Sequence, residues 1–434
     1  VIADPSAGQA ARAAACALWI GVFRDGASLD AAAEQSPAFD RLRGPDRGFA
    51  YACAASAIRA HGAIAHALSQ WLARPLPDTA WQAQACLHIG AAQLALLSIA
   101  PHAAVSATVN VAAQIAPKFK SLVNAVLRKI AANPSAILAA PIEAWAPAWL
   151  LARWRAHYGA AATEAMLRAA LTGAQPPIDL SVRNVGDSAH WAERLGAQIL
   201  DGGSLRLPAN PGLIVDLPGY QDGAWWVQDA AAALPAKLLR FDQGAEVADL
   251  CAAPGGKTLQ LLARGAKVTA LDSSPDRLKL LRQNLARCGG EAEIIAGDLS
   301  AWAPERRFDA VLLDAPCTAT GTLRRNPEVI WRRTPNDIAR MAALQRQFLR
   351  QAGARLKPGG SLVYAVCSLE PEEGEAVALS VDSAMGLSPD PILREEVPGL
   401  AAAITPDGAL RTTPALWADQ GGLDGFYIRR WRRL

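Results

Sequence analysis

From about residue 231 onward, short apolar runs alternate with stretches long enough for helices. Val247–Leu250, Lys267–Leu271, Glu291–Ile295, Asp309–Leu313 and Gly360–Val366 read as strands, and Thr258–Leu262, Pro275–Arg287 and Pro335–Leu356 as helices between them. Runs such as Val311-Leu312-Leu313 and Leu362–Val366 are continuously apolar, the pattern of strands buried on both faces. Repeated strand–helix units of this kind predict an α/β, doubly wound parallel sheet. Tyr427–Trp431 reads as a closing strand. Ligands of such sheets gather outside the carboxyl ends of the strands, so the residues that follow each apolar run carry the functional information.

The preceding part of the chain differs. Up to about residue 140 alanine is abundant and strand-like alternation is absent, which predicts an all-helical domain. Helices are expected over Ala11–Phe23, from Leu29 with Ser28 as cap, from Asp46 in one long stretch through Ala50–Leu72, and over Trp81–Ile99, His102–Ile115 and Lys120–Ile130. Pro134 and Pro141 mark a linker. Residues 141–230 form a mixed segment, with helices at Trp145–Tyr158 and Ala161–Leu171, then the run Leu180–Asn184, a helix around His190–Leu195 and a short strand at Ser204–Leu207. The expected domains are therefore 1–140, 141–230 and 231–434. A 434-residue chain exceeds what one hydrophobic core supports.

The loop after the first strand of the alternating region is Asp249-Leu250-Cys251-Ala252-Ala253-Pro254-Gly255-Gly256-Lys257-Thr258. Its glycines permit a tight turn, and the helix that follows offers unpaired N–H groups to an anionic ligand. Asp272 ends the next strand, where an acid binds ribose hydroxyls in such sheets. Asp298 follows the strand after that, placed to accept from an adenine amino group. Gly256-Lys257-Thr258 also mimics the end of a phosphate-binding loop, and Val311–Asp314 a magnesium-binding strand end. That motif, however, needs glycine where Cys251 stands, which makes nucleotide hydrolysis the weaker reading.

Two further strands end in thiols, Asp314-Ala315-Pro316-Cys317 and Tyr364-Ala365-Val366-Cys367-Ser368. Thiolate is intrinsically nucleophilic and reached by a modest fall in pKa. Adding to carbon-6 of a pyrimidine, it makes carbon-5 able to attack an electrophilic methyl group. A base must then remove the carbon-5 proton. Asp249–Thr258, Asp314–Gly321, Tyr364–Glu373 and Asp424–Tyr427, in that order, resemble the motifs of RNA cytosine-5 methyltransferases that use S-adenosylmethionine. Pro101–Val105 and Leu122–Arg128 resemble the helical domain related to the NusB antitermination factor, and Leu180–Asn184 with Trp226–Asp229 resemble a linking RNA-binding subdomain. The combination resembles the RsmB type, which methylates carbon-5 of a cytidine in small-subunit (16S) ribosomal RNA. It implies a Rossmann-like methyltransferase domain, a NusB-like N-terminal domain and a small α/β connector.

By this resemblance Cys367 is the nucleophile and forms a covalent Cys–pyrimidine intermediate. Cys317 serves product release, and Asp314 contacts the cofactor or the cytosine. Cys251, Ala252, Ala253, Pro254, Gly255, Gly256 and Lys257, with Asp272, Asp298 and Asp314, would hold S-adenosylmethionine, and Arg277 is a further candidate. Cys16, Cys53, Cys86 and Cys288 read as inert buried thiols. The sequence departs from relatives at Ala365-Val366, where Ser-Thr is common, and at Asn326-Pro327-Glu328, where His-Pro-Asp is frequent.

Seven irregularly spaced cysteines and no Cys/His cluster give no disulfide framework and no metal site. No apolar run is long enough to span a membrane, and a cytoplasmic, reduced protein is expected; the resemblance implies ribosomal RNA as partner, and a monomer is expected. Net charge is only +3, but arginines cluster at 324–325, 332–333 and 429–433, a side chain suited to phosphate or to a solvated surface. The competing class is an RNA-binding assembly factor with a vestigial fold.

Overall fold

The computed structural model describes residues 5–172, 175–209 and 211–434. They form two compact units. One comprises Val1–Ala174 with Arg325–Arg332, the other Gln175–Arg324 with Arg333–Leu434.

The first unit is helical: α1 (Pro5–Phe23), α2 (Leu29–Gln35), α3 (Pro37–Asp40), α4 (Gly44–Arg59), α5 (His61–Trp71), α6 (Trp81–Ala95), α7 (Pro101–Ile115), α8 (Lys120–Ala132), α9 (Ser135–Leu138), α10 (Ala148–Tyr158) and α11 (Ala160–Leu167). Small side chains let the axes approach. Ala11, Ala14, Ala15, Ala50, Ala54, Ala57, Ala91 and Ala92 are all fully buried. A polar link crosses this core: Arg12 Nε donates to Gln93 Oε1 at 2.6 Å, and Gln93 Nε2 donates to Thr108 Oγ1 at 3.1 Å. Ser28 caps α2 as expected, accepting from Ala31 N at 3.2 Å. The long helix expected through Ala50–Leu72 is instead two, broken at Ala60 (φ −96°, ψ 16°). The redirected α5 lies so close to the backbone that a Cβ on Gly62 would fall 1.9 Å from Ala144 O. Ser98, at φ 51°, lies beyond a helix α6 that ends at Ala95, short of Ile99.

The segment Arg325–Arg332 belongs to this unit although it follows the Cys317 motif in sequence. Glu328, nearly fully buried, accepts from Leu29 N at 3.2 Å, and Arg332 Nε donates to Gly26 O at 2.8 Å. Trp331 packs edge-on against His61, their rings 4.8 Å apart. The unusual Glu328 is thus engaged inside the protein, at the start of α2.

The second unit contains two sheets. The small one is antiparallel, ordered β2 (Gln198–Ile199), β3 (Leu205–Arg206), β1 (Asp179–Val182), β4 (Trp225–Val227), with α12 (Ser188–Leu195) beside it. Arg206 grips Asp179 with two bonds of 2.7 and 2.8 Å and donates to Gln420 O and Gly422 O.

The large sheet contains β5 (Glu246–Leu250), β6 (Lys267–Asp272), β7 (Glu293–Ala296), β8 (Phe308–Asp314), β9 (Leu356–Val366), β10 (Leu387–Pro389), β11 (Leu410–Arg411) and β12 (Tyr427–Arg433). Its order is β10-β12-β9-β8-β5-β6-β7, with β11 also on β12. The five strands β5 to β9 are mutually parallel, as the apolar runs predict. Strand β12 runs antiparallel to β9, and β10 and β11 each pair antiparallel with β12, which corrects the expectation of a parallel sheet at this edge, because an apolar strand pattern does not encode direction. Helices α13 (Leu234–Leu238), α14 (Gly256–Ala263), α15 (Pro275–Cys288) and α17 (Pro335–Ala354) accompany the sheet, whereas α16 (Val329–Arg332) lies in the helical unit and α18 (Glu375–Ala378) follows Cys367. Side chains alternate between two cores. Leu312, Val363 and Ala365 enter one, and Val311, Leu313, Leu362, Tyr364 and Val366 the other. Ala365 and Val366 are fully buried, which suits apolar groups at those places.

Several arginines of the three clusters prove to be structural, whereas Arg325 and Arg432 are exposed. Arg430, fully buried, binds Glu396 through two bonds of 2.7 and 2.9 Å. Arg429 pairs with Asp407 at 2.6 Å, and Arg333 donates to Thr318 O at 2.8 Å. Buried Arg324 joins Asp229 to Asp424, donating to the first and lying 3.6 Å from the second. The reading of these clusters as phosphate sites or solvated charge does not hold for these residues, since their forks are spent on carboxylates and carbonyls within the protein.

Candidate active site

The order of the large sheet reverses at β5, which has β6 on one side and β8 on the other. The loops leaving these carboxyl ends converge there, as the reversal requires. After β5 the chain turns sharply, with Cys251 at φ 63°, a cis Ala253–Pro254 peptide and Gly255 at φ 104°. Only glycine takes that last conformation without strain. The turn is held from β6: Ala252 N donates to Leu271 O at 3.0 Å and Ala253 N to Asp272 Oδ2 at 3.1 Å. Arg277 donates to Ala253 O, and its guanidinium lies 3.4 Å from Asp272 Oδ2. Beneath the turn, fully buried Asp249 accepts from Thr258 Oγ1 at 2.6 Å. Burial pushes its carboxyl up to about 7.

A cavity of about 250 Å³ opens at these strand ends, lined by Cys251, Asp272, Arg277 and Asp298 with the apolar Leu299 and Phe348 among others. Three of the expected cofactor residues therefore border one space, and Arg277 joins them. Ala252 and Ala253 are buried in the turn itself, Pro254 faces outward, Gly255 and Gly256 open α14, and Lys257 points elsewhere. Sequence reasoning missed the apolar wall from α17, since Leu344 and Phe348 look like ordinary helix-core positions. A larger groove of about 900 Å³ lies at the opposite ends of the strands. Its charges are largely paired: Arg240 with Asp390 and Glu396, and Lys357 with Asp309 and Glu246.

Lys257 Nζ bonds Asp314 Oδ2 at 2.8 Å, linking the turn to the end of β8. Burial alone would lower its pKa, but Asp314, Cys367 and Asp249 more than offset that, and the ammonium is stabilised. Residues Asp314 and Ala365 are register partners, so the chain segments following β8 and β9 leave the sheet side by side. Their thiols meet: Cys317 Sγ lies 3.4 Å from Cys367 Sγ, and both residues are partly exposed. The contact with Cys367, and then burial, push the Cys317 thiol well up. Burial likewise raises Cys251. Cys16, Cys53, Cys86 and Cys288 are buried, as expected of inert thiols.

One carboxylate underlies both thiol loops. Fully buried Glu373 accepts from Thr318 N at 2.9 Å, Gln345 Nε2 at 2.8 Å, Ser368 Oγ at 2.8 Å and Thr318 Oγ1. Gly321 N donates to Cys367 O at 3.0 Å, and Gly425 N to Gly321 O at 2.8 Å, which brings the closing motif to the same place. A Cβ on Gly321 would lie 1.9 Å from Gly425 O. Sequence motifs contained Glu373 but gave no sign of this role.

Fold and site together define a methyltransferase of the Rossmann-like class. Residues 236–431 match the family described as 16S rRNA methyltransferase RsmB/F, and residues 9–132 match the NusB family. Ribosomal RNA small subunit methyltransferase B of Sodalis glossinidius (strain morsitans) is 38% identical over 369 residues, 78% of this chain and 82% of that protein. The chain belongs to the RsmB/F family of 16S rRNA methyltransferases. The similarly named protein of Xanthomonas campestris pv. campestris is 37% identical over 388 residues, covering 85% and 87% of the two chains. The crystal structure of PH0851 shares the fold over 100% of both chains, with a TM-score of 0.76 at 24% identity. Among the described residues no helix is long and apolar enough to cross a membrane, and no group of His, Cys, Asp and Glu could hold a metal ion.

Proposed function

We propose that this protein methylates carbon-5 of one cytidine in 16S rRNA through a covalent Cys367–pyrimidine intermediate, with S-adenosylmethionine as methyl donor. The observation that carries the reading is the 3.4 Å contact between two partly exposed thiols, with a cavity of about 250 Å³ at the neighbouring strand ends. The residues fit a nucleoside. Asp272 offers a carboxylate at a strand end, Asp298 stands on the rim, and Leu299, Leu344 and Phe348 supply an apolar wall. Arg277 and the Cys251–Gly256 turn would complete the binding loop. When bound, S-adenosylmethionine supplies an electrophilic methyl group.

The chain's own residues do the rest. Cys367 adds to carbon-6 as thiolate, and the ring electrons make carbon-5 nucleophilic. Lys257 places a positive charge near that sulfur and holds Asp314 at the edge of the site. Cys317 keeps its proton in the resting enzyme, chiefly because of Cys367. Once Cys367 is a thioether the largest of the influences holding that proton is removed, although burial and Glu373 still oppose ionisation, and the Cys317 thiolate is the species that acts as base. It then takes the carbon-5 proton, the carbon-6–sulfur bond breaks, and the Cys367 thiolate leaves. A target base inside a duplex must first be unstacked to reach the sulfur.

The test is transfer of radiolabelled methyl groups to 16S rRNA. Cys367→Ala is expected to abolish transfer while binding of S-adenosylhomocysteine, measured by calorimetry, is kept. Retained transfer in that variant would refute the nucleophile assignment. No transfer by the unmodified protein would favour an assembly factor.

A further inference from the structure

Glu373 has a geometry that packing does not require. Burying a carboxylate is costly unless its lone pairs are satisfied, and here four donors converge on it from three segments. Thr318 directly follows Cys317, and Ser368 directly follows Cys367. Gln345, also fully buried, donates to both Glu373 Oε2 and Pro316 O, each at 2.8 Å. Cys317 is therefore fixed on both flanks by one Gln345–Glu373 pair. Tyr364 Oη donates to Glu373 O at 2.5 Å and anchors the same residue to β9, the strand that ends at Cys367. Hydrogen bonds to an ionised acceptor are the stronger kind, and an ionised carboxylate has acceptor sites for all four donors.

We propose that Glu373 is a positioning residue: its carboxylate sets the spacing between the Cys317 and Cys367 sulfurs. The spacing role stands on geometry, and its catalytic consequence rests on the thiol reading above. Glutamine at 373 has nearly the same volume but no charge: its oxygen can keep Thr318 N and Gln345 Nε2, while its NH₂ can only donate to the Thr318 and Ser368 hydroxyls, reversing those two bonds. Both loops are then held by neutral hydrogen bonds, weaker than those to a carboxylate.

The experiment compares wild type with Glu373→Gln in two ways. The first needs neither RNA nor cofactor. Diamide, a diazene oxidant, accepts two electrons and two protons from the two thiols and becomes a hydrazine, while a Cys317–Cys367 disulfide forms. Its rate, followed by mass spectrometry of the cysteinyl peptides, reports sulfur spacing. The second is steady-state methyl transfer to 16S rRNA. We expect crosslinking to slow on the order of tenfold and kcat to fall by about 100-fold, the scale of an ångström misplacement. KM for RNA should stay unchanged, as for an interaction made only in the reaction itself. Ser368→Ala, which removes one donor, should shift both rates the same way by less and be non-additive with Glu373→Gln. If Glu373→Gln does not fold, Ser368→Ala carries the test alone. Crosslinking at the wild-type rate overturns the positioning role. Slowed crosslinking with unaltered kcat upholds the spacing and overturns the thiol mechanism instead.

Discussion

Asp249→Asn should stabilise the protein, and by an amount that depends on pH. Asp249 is fully buried at the end of β5, with Oδ2 bonded to Thr258 and Oδ1 lacking a hydrogen-bond donor. Burial, the largest influence, lifts its pKa from 3.8 to about 7, although Thr258 pulls the other way. The folded state thus holds the proton more tightly than the unfolded chain. Stability from this group is complete below pH 3.8, declines as pH rises towards 7, and is flat above. A difference of roughly 3 pKa units, at ~1.4 kcal/mol each, amounts to about 4 kcal/mol. Asparagine keeps the shape, accepts from Thr258 through its amide oxygen and does not titrate. Urea denaturation of both proteins between pH 4 and 8 therefore gives a difference curve that climbs by about 4 kcal/mol and levels near pH 7. A flat difference curve, or one that falls with pH, would refute a buried carboxylate with a raised pKa.

Two other outcomes follow from the thiol loops. Cys317→Ala should stall release, so that a denaturant-resistant protein–RNA band accumulates during reaction; normal turnover without such a band would remove Cys317 from the mechanism. Gly321→Ala forces a methyl group against Gly425 O, and overpacking of this kind costs about 1–3 kcal/mol. Thermal melting should fall and methyl transfer should drop more steeply than stability; a neutral substitution would show that the contact yields freely.

The strands of the large sheet and their terminal Asp and Cys residues were legible because continuous burial leaves a continuous apolar run, as in Val311–Leu313. The break at Ala60 was not legible. Ala57–Ala60 continue the helical pattern and a single Gly62 is tolerated inside a helix, so the redirection appears only in the packing of Gly62 against Ala144. The antiparallel β12 escaped because its composition says nothing about direction. The arginines of β12 escaped for a different reason: whether a guanidinium meets phosphate or Glu396 depends on partners distant in sequence. Glu373 was hidden in the same way. Within Pro371-Glu372-Glu373 nothing distinguishes a solvated glutamate from one that receives four hydrogen bonds.

The placement of Arg325–Arg332 has a consequence for the ancestry and dissection of the chain. A polypeptide started at the small sheet would retain every strand yet strip the cover from buried Val329 and Ile330, at roughly 1.5–3 kcal/mol apiece. A polypeptide stopped at residue 174 would lack the piece carrying Glu328 and Trp331. The helical unit thus includes a stretch that the backbone supplies from within the sequence of the other unit, and a cut at residue 174 leaves it without that stretch.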